Sequence, residues 1–174
     1  MHPLNNALNI ECGNMLSVHA YTSDQCIIDA AHSDLYRSRA VGSSLILTST
    51  NASKAISLIM PELTNKIHCT AVRVPIINVS MIDFNFISRN KTTKEDINQI
   101  IVNVSNSYLK GVLGWTDEPL VSIDFNHDPR SAIVDLNQTN VTNNHMCRVV
   151  AWYDNEWGYA NRMRDVVNYM SYNF

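Results

Sequence analysis

Three groups of residues in this chain are of types that do chemistry. The first is His19, at the close of the apolar run MLSVHAY and followed by Thr22, Asp24 and Gln25. Imidazole changes charge near neutral pH, so a histidine at a strand end beside polar groups is placed for general acid–base work. A hydrogen-bonded core histidine fits the same spacing and is the commoner fate of such a residue. The second group is Arg37, Arg39 and Arg73. A guanidinium binds phosphate through a planar fork, and hydroxyls such as those of Thr22 and Thr50 complete sites of that kind. Each arginine reads equally as a solvated surface cation; Arg73 escapes that reading best, because it interrupts the apolar run AVRVP. The third group is AWYDNEWGYANR, residues 151–162, with two of the chain's three tryptophans. A surface turn asks only for permissive backbone. Large aromatics set among amides therefore imply that something is held there. A fourth stretch, Asp124 to Ser131 (DFNHDPRS), could be a metal or catalytic cluster, but reads more simply as a strand and a turn at Asp128-Pro129.

Composition excludes several classes of function. The chain has 174 residues, 45% hydrophobic and 17% charged, which is ordinary for one folded domain with a proper core. A net charge of −3 and the lack of a basic stripe argue against nucleic acid as a partner. No apolar run is long enough to cross a membrane, and the first residues, MHPLNNALNIECG, are too polar for a signal peptide. The four cysteines are scattered, with no C-x-x-C pair, so neither a zinc site nor a disulfide framework is expected, and a reducing cytoplasm is.

The elements that must position these groups follow from pattern. Met15 to Tyr21 reads as a strand, followed by a long polar stretch from Thr22 to about Ser44, too long for a plain connection. Ala52 to Met60 has helical spacing and stops at Pro61. Cys69 to Ile87 is rich in β-branched and aromatic residues and reads as strands. Thr92 to Glu95 reads as a capping box, ahead of Ile97, Ile100, Ile101 and Val104 on one helical face, with the helix closing near Gly111. Short strands are expected at Pro119–Phe125, Ser131–Asp135 and Arg148–Tyr153, and a closing helix presents Tyr159, Met163, Val166, Val167 and Met170 on one face. Strands and helices do not alternate regularly, and no G-x-G-x-x-G follows a strand. The expected class is therefore α+β with a largely antiparallel mixed sheet, without a dinucleotide-binding unit.

Three blocks carry a specific resemblance. WYDNEWGYANRM, HAYTSDQ and RVPIINVS, with the spacings between them, resemble the C-terminal catalytic domain of the glyceraldehyde-3-phosphate dehydrogenase family across almost the whole chain. VSIDFNHDPRSAIVD is similar to the erythrose-4-phosphate dehydrogenase branch instead. The resemblance implies helices packed on one face of the sheet. It implies His19 as the general base that activates a cysteine thiolate, and Thr22, Asp24, Arg37, Thr50 and Arg73 around two phosphate or anion sites. It also implies Asn155 hydrogen-bonding a nicotinamide amide with Tyr159 nearby, and residues 21 to about 46 as a loop reaching a neighbouring subunit.

The family's nucleophilic cysteine lies in an SCTTN motif upstream of the histidine, and none of Cys12, Cys26, Cys69 or Cys147 sits in one. The resemblance thus leads us to expect a single catalytic domain over residues 1–174, without the nucleotide-binding Rossmann domain and inactive alone. As part of a whole enzyme it would use NAD, a phosphorylated aldehyde, and phosphate or water, in a cytoplasmic homo-oligomer. A non-enzymatic assembly module is the competing expectation. Asn51 replaces the family's glycine beside Thr50, which crowds that anion site.

Overall fold

The structure, a computed structural model, describes residues 1–173. Seven strands form one mixed sheet: β1 (Ile10–Ala20), β2 (Ile46–Thr48), β3 (Ile67–Val74), β4 (Ser80–Ser88), β5 (Leu113–Thr116), β6 (Ala132–Thr142) and β7 (Met146–Tyr153). Their order across the sheet is β2-β3-β1-β4-β7-β6-β5. The pairs β1–β3 and β5–β6 are parallel and the other neighbours antiparallel, in keeping with the α+β reading.

Period-2 patterning dictates which side of the sheet is covered. Phe84 and Phe86 on β4, Cys147, Val149 and Ala151 on β7, and Val134 on β6 turn to one face. There they meet Leu4 and Leu8 of α1 (His2–Leu8), Ile56 of α2 (Ala52–Ile59), and Ile97 and Ile101 of α3 (Lys94–Ser105). Phe84 and Phe86 stack with centroids 4.9 Å apart. Gly13 is required where β1 crosses β4: a Cβ there would lie 2.6 Å from the Asn85 carbonyl oxygen and 2.9 Å from Phe86 Cβ. Phe86 is 2% exposed. Truncation to alanine is expected to destabilise the domain by about 3–5 kcal/mol, read as a lower urea midpoint at unchanged slope.

Several elements depart from the sequence-based expectations. The capping box is one residue later: the Asp96 N–H donates to Thr93 Oγ1 at 3.2 Å and the Thr93 N–H to Asp96 Oδ2 at 3.0 Å. Thr92 is buried instead, its N–H donating to the Asn144 carbonyl in the β6–β7 turn. Helix α3 ends at Ser105, so Gly111 (φ 77°) serves the turn into β5 rather than the helix cap. Ser122–Phe125 is a 3₁₀ turn, not a strand, because only Phe125 of that run reaches the core. The stretch 151–162 is not a turn: it is the end of β7, one capping residue, and the start of α4 (Asn155–Asn173). The apolar face of α4 (Tyr159, Met163, Val166, Val167 and Met170) is exposed rather than packed.

Candidate functional site

Parallel pairing of β1 with β3 sets His19 directly opposite Arg73, at the ends of two central strands. His19 Nδ1 lies 2.6 Å from the Ala20 carbonyl oxygen and 2.5 Å from Arg73 Nη1. One ring nitrogen cannot donate to the first and accept from the second. Arg73 Nη1 also donates to the Ala20 oxygen, at 2.9 Å. We therefore assign the proton to Nδ1, with both donors converging on one carbonyl, which leaves the Nε2 lone pair free to take a proton. Burial holds His19 below the ordinary histidine value; the Ala20 hydrogen bond opposes this, the Arg73 charge adds to it, and Glu156 opposes it. The imidazole is thus kept neutral, the form a base needs. Tyr153 stands edge-on to the ring, centroids 5.9 Å apart, with its hydroxyl 2.9 Å from Ser17 Oγ.

Arg73 differs from the other ordered arginines. Arg37, Arg130 and Arg148 each meet a carboxylate. Arg73 forms no ion pair among the described residues, and its Nε is buried without a hydrogen-bond partner. Its pKa is lowered, by burial first; Tyr153 opposes this, and the neighbouring Arg37 charge adds to it.

Strand β2 pairs with β3 so that Ile46 faces Arg73 and Thr48 faces Ala71. Arg37 reaches this edge from the 21–45 loop: its Nε donates to Thr48 Oγ1 at 2.9 Å, while Nη1 pairs with Asp24. Asp34 lies 3.5 Å away on the other side. Thr22 is held locally, its N–H and hydroxyl donating to Gln25 Oε1 at 2.9 and 3.0 Å. Gln25 is buried. Thr50 Oγ1 accepts the Ala52 N–H at 3.2 Å, at the start of α2. Arg37 thus ties Asp24 and Thr48 together close enough for its charge to act on Arg73, while Thr22 and Thr50 are held by local contacts of their own. Arg39 turns away to Asp29.

Asn155 and Tyr159 project from the first turns of α4, both exposed. Spaced four apart, they share one side of the helix. Asn155 Nδ2 donates to Oε1 of the adjacent Glu156 at 3.1 Å.

Sequence reading missed Thr48, and gave no separate role to Gln25 beside His19 or to Tyr153 within the 151–162 stretch. Thr48 was masked by the nearby Thr50; Gln25 and Tyr153 lie in marked stretches, but their partners Thr22, His19 and Ser17 are set by the fold. Burial pushes the thiol pKa of Cys147, 0% exposed, up, with the hydrogen bond to Ser88 opposing, so it lacks the lowered pKa of a reactive cysteine. No group of three or more His, Cys, Asp or Glu side chains is gathered for a metal among the described residues. Two hollows of about 570 and 590 Å³ open at the opposite end of the sheet, near Lys66 and Asn137, and are lined by none of His19, Thr22, Asp24, Arg37, Thr48, Arg73 or Asn155. No described helix is long and apolar enough to cross a membrane.

Comparison with known proteins extends this geometry. The family model described as "Glyceraldehyde 3-phosphate dehydrogenase, C-terminal domain" matches residues 1–155. Proteins named glyceraldehyde-3-phosphate dehydrogenase are similar to the chain in Xanthobacter flavus (52% identical over 93% of this chain and 48% of the relative). The same holds in Cereibacter sphaeroides (48% identical over 93% of this chain and 49% of the relative) and in Zymomonas mobilis (46% identical over 98% of this chain and 51% of the relative). The chain thus spans about half the length of the curated relatives it matches.

Proposed function

The chain belongs to the glyceraldehyde-3-phosphate dehydrogenase family, through that family's C-terminal domain, and on that premise we propose that it is the base-and-anion half of an NAD-dependent phosphorylated-aldehyde dehydrogenase. One observation carries the reading: a partly buried imidazole set directly opposite a guanidinium that no carboxylate neutralises among the described residues. In this role His19 Nε2 takes the proton of the attacking cysteine thiol, gives it to the aldehyde oxygen as the sulfur–carbon bond forms, and takes it back from that hydroxyl as the hydride leaves, while Nδ1–H stays on Ala20 O. The nucleophilic cysteine and the dinucleotide fold are not among these 174 residues. Arg73, with Arg37, Thr22 and Thr48 beside it, holds the substrate phosphate or the attacking anion; Asp24 and Asp34 must yield Arg37 for it to take part. Bound NAD would accept the hydride, with its carboxamide on Asn155 and Tyr159 alongside.

The chain alone is inactive under this proposal, since base and anion sites cannot form the covalent bond. The exposed sheet end and α4 face would meet the rest of a cytoplasmic homo-oligomer.

The aldehyde is glyceraldehyde 3-phosphate on the names of the relatives. A second reading, erythrose 4-phosphate, is favoured by DFNHDPRSAIVD, in which the His127 N–H bonds Asp154 next to Asn155. The ratio of kcat/KM for the two aldehydes decides between them. It would be measured after joining this chain to the N-terminal half of the Xanthobacter flavus relative. A ratio favouring the three-carbon aldehyde supports the first reading, and the reverse ratio supports the second.

A further inference from the structure

The site described above uses Asn155 but not the residue before it. Asp154 is 1% exposed, and its carboxylate faces neutral donors from three separate segments: Asn78 Nδ2 at 2.8 Å, the His127 N–H at 2.9 Å and the Trp157 N–H at 2.9 Å. No cation pairs with it among the described residues. A buried carboxylate without a counter-ion is costly unless hydrogen bonds and a helix start hold it.

Backbone strain converges on the same point. Val79, beside Asn78, has φ 64°, and His127 has φ 61°. A β-branched residue in the left-handed region is a true outlier, and such strain persists only where surrounding contacts over-determine the backbone. Asn78 also donates to Asn126 Oδ1 at 2.7 Å, and the His127 ring lies 4.9 Å from that of Trp157. The β3–β4 connection, the loop at residues 126–127 and the first turn of α4 are therefore clamped through one side chain. On the other side of Asp154, Tyr153 touches the His19 ring.

We propose that Asp154 is the positioning residue of the cofactor-facing wall: it fixes where Asn155 and Tyr159 stand relative to His19 and Arg73. The inference rests on the assignment of Asn155 to the nicotinamide carboxamide. Capping α4 is a separate, purely structural task, and serine performs it as well as aspartate does. Serine is too short to reach Asn78 and His127 as well.

Asp154→Ser in the dehydrogenase joined to the nucleotide-binding half separates the two tasks. Helix content stays near that of the parent, because serine keeps the cap, while the thermal midpoint falls as Asn78 and the His127 N–H lose their acceptor. KM for NAD rises about tenfold, the size of one neutral hydrogen bond to the carboxamide lost when Asn155 is no longer held in place, while KM for the aldehyde stays the same. Full recovery of the NAD KM by serine, or equal movement of both KM values, would overturn the proposal. Asn155→Ala is measured in parallel. If it raises KM for NAD and Asp154→Ser does not, only the positioning role falls. If Asn155→Ala leaves KM for NAD unchanged, the assignment of Asn155 fails and the positioning role fails with it.

Discussion

His19→Asn, in the protein joined to a nucleotide-binding half, is expected to lower kcat by about 10²–10⁴-fold, the usual loss on removing a general base. Asparagine is the informative replacement because its amide can still donate to the Ala20 carbonyl where Nδ1 now does, so the strand end keeps its tether. What disappears is the Nε2 lone pair. The parent's activity should fall on its acid limb as pH drops through a value below that of an ordinary histidine, since burial lowers His19. The same shift has a stability consequence. Between the lowered folded value and the ordinary unfolded one, the unfolded chain binds more protons at this residue, so stability rises with pH across that interval. Below it the full penalty is present, and above it none. His19→Asn removes this contribution, and urea midpoints measured across the interval would show a shallower slope. A variant that retains parental kcat would remove His19 from the chemistry.

The second large effect is expected at Arg73. Methionine keeps the unbranched apolar stem and deletes the guanidinium. Loss of a hydrogen-bonding cation, at about 1.5–3 kcal/mol, lowers kcat/KM for a phosphorylated aldehyde by roughly 10- to 150-fold. Unphosphorylated glyceraldehyde should lose much less. Because the Arg73 charge also disfavours a proton on His19, the acid limb of the pH profile should move upward in Arg73→Met. Equal losses for both aldehydes, with no movement of the limb, would assign Arg73 to strand pairing instead of anion binding.

These two residues show what was legible in the sequence. His19 and Arg73 lie at ends of apolar runs where a polar side chain breaks the pattern, and parallel pairing of β1 with β3 brings those breaks together. The strands through Cys69–Ile87 and the helix stopping at Pro61 were readable for the same reason: each is a local pattern with a local stop signal. The remainder depends on distant partners. Nothing near Thr48 announces that Arg37, eleven residues earlier, will fold back onto its hydroxyl. Asp154 reads as one acid among several until Asn78 and His127 arrive from elsewhere. Residues 122–125 look strand-like because Val121 and Ile123 are apolar, yet both are exposed and only Phe125 is anchored, stacked 5.6 Å from Trp152. The face of α4 has helical periodicity, which predicts a helix, but periodicity does not name what covers it.

In the proposed function these residues supply a base and an anion site to a nucleophile and a cofactor fold that are not among them. The most direct measurement is NAD reduction in the presence of glyceraldehyde 3-phosphate and inorganic phosphate, for the purified 174-residue chain and for the same chain joined to the N-terminal half of the Xanthobacter flavus relative. The account predicts no turnover from the chain alone and His19-dependent turnover from the joined protein. Turnover by the chain alone, or turnover of the joined protein that survives His19→Asn, would contradict it.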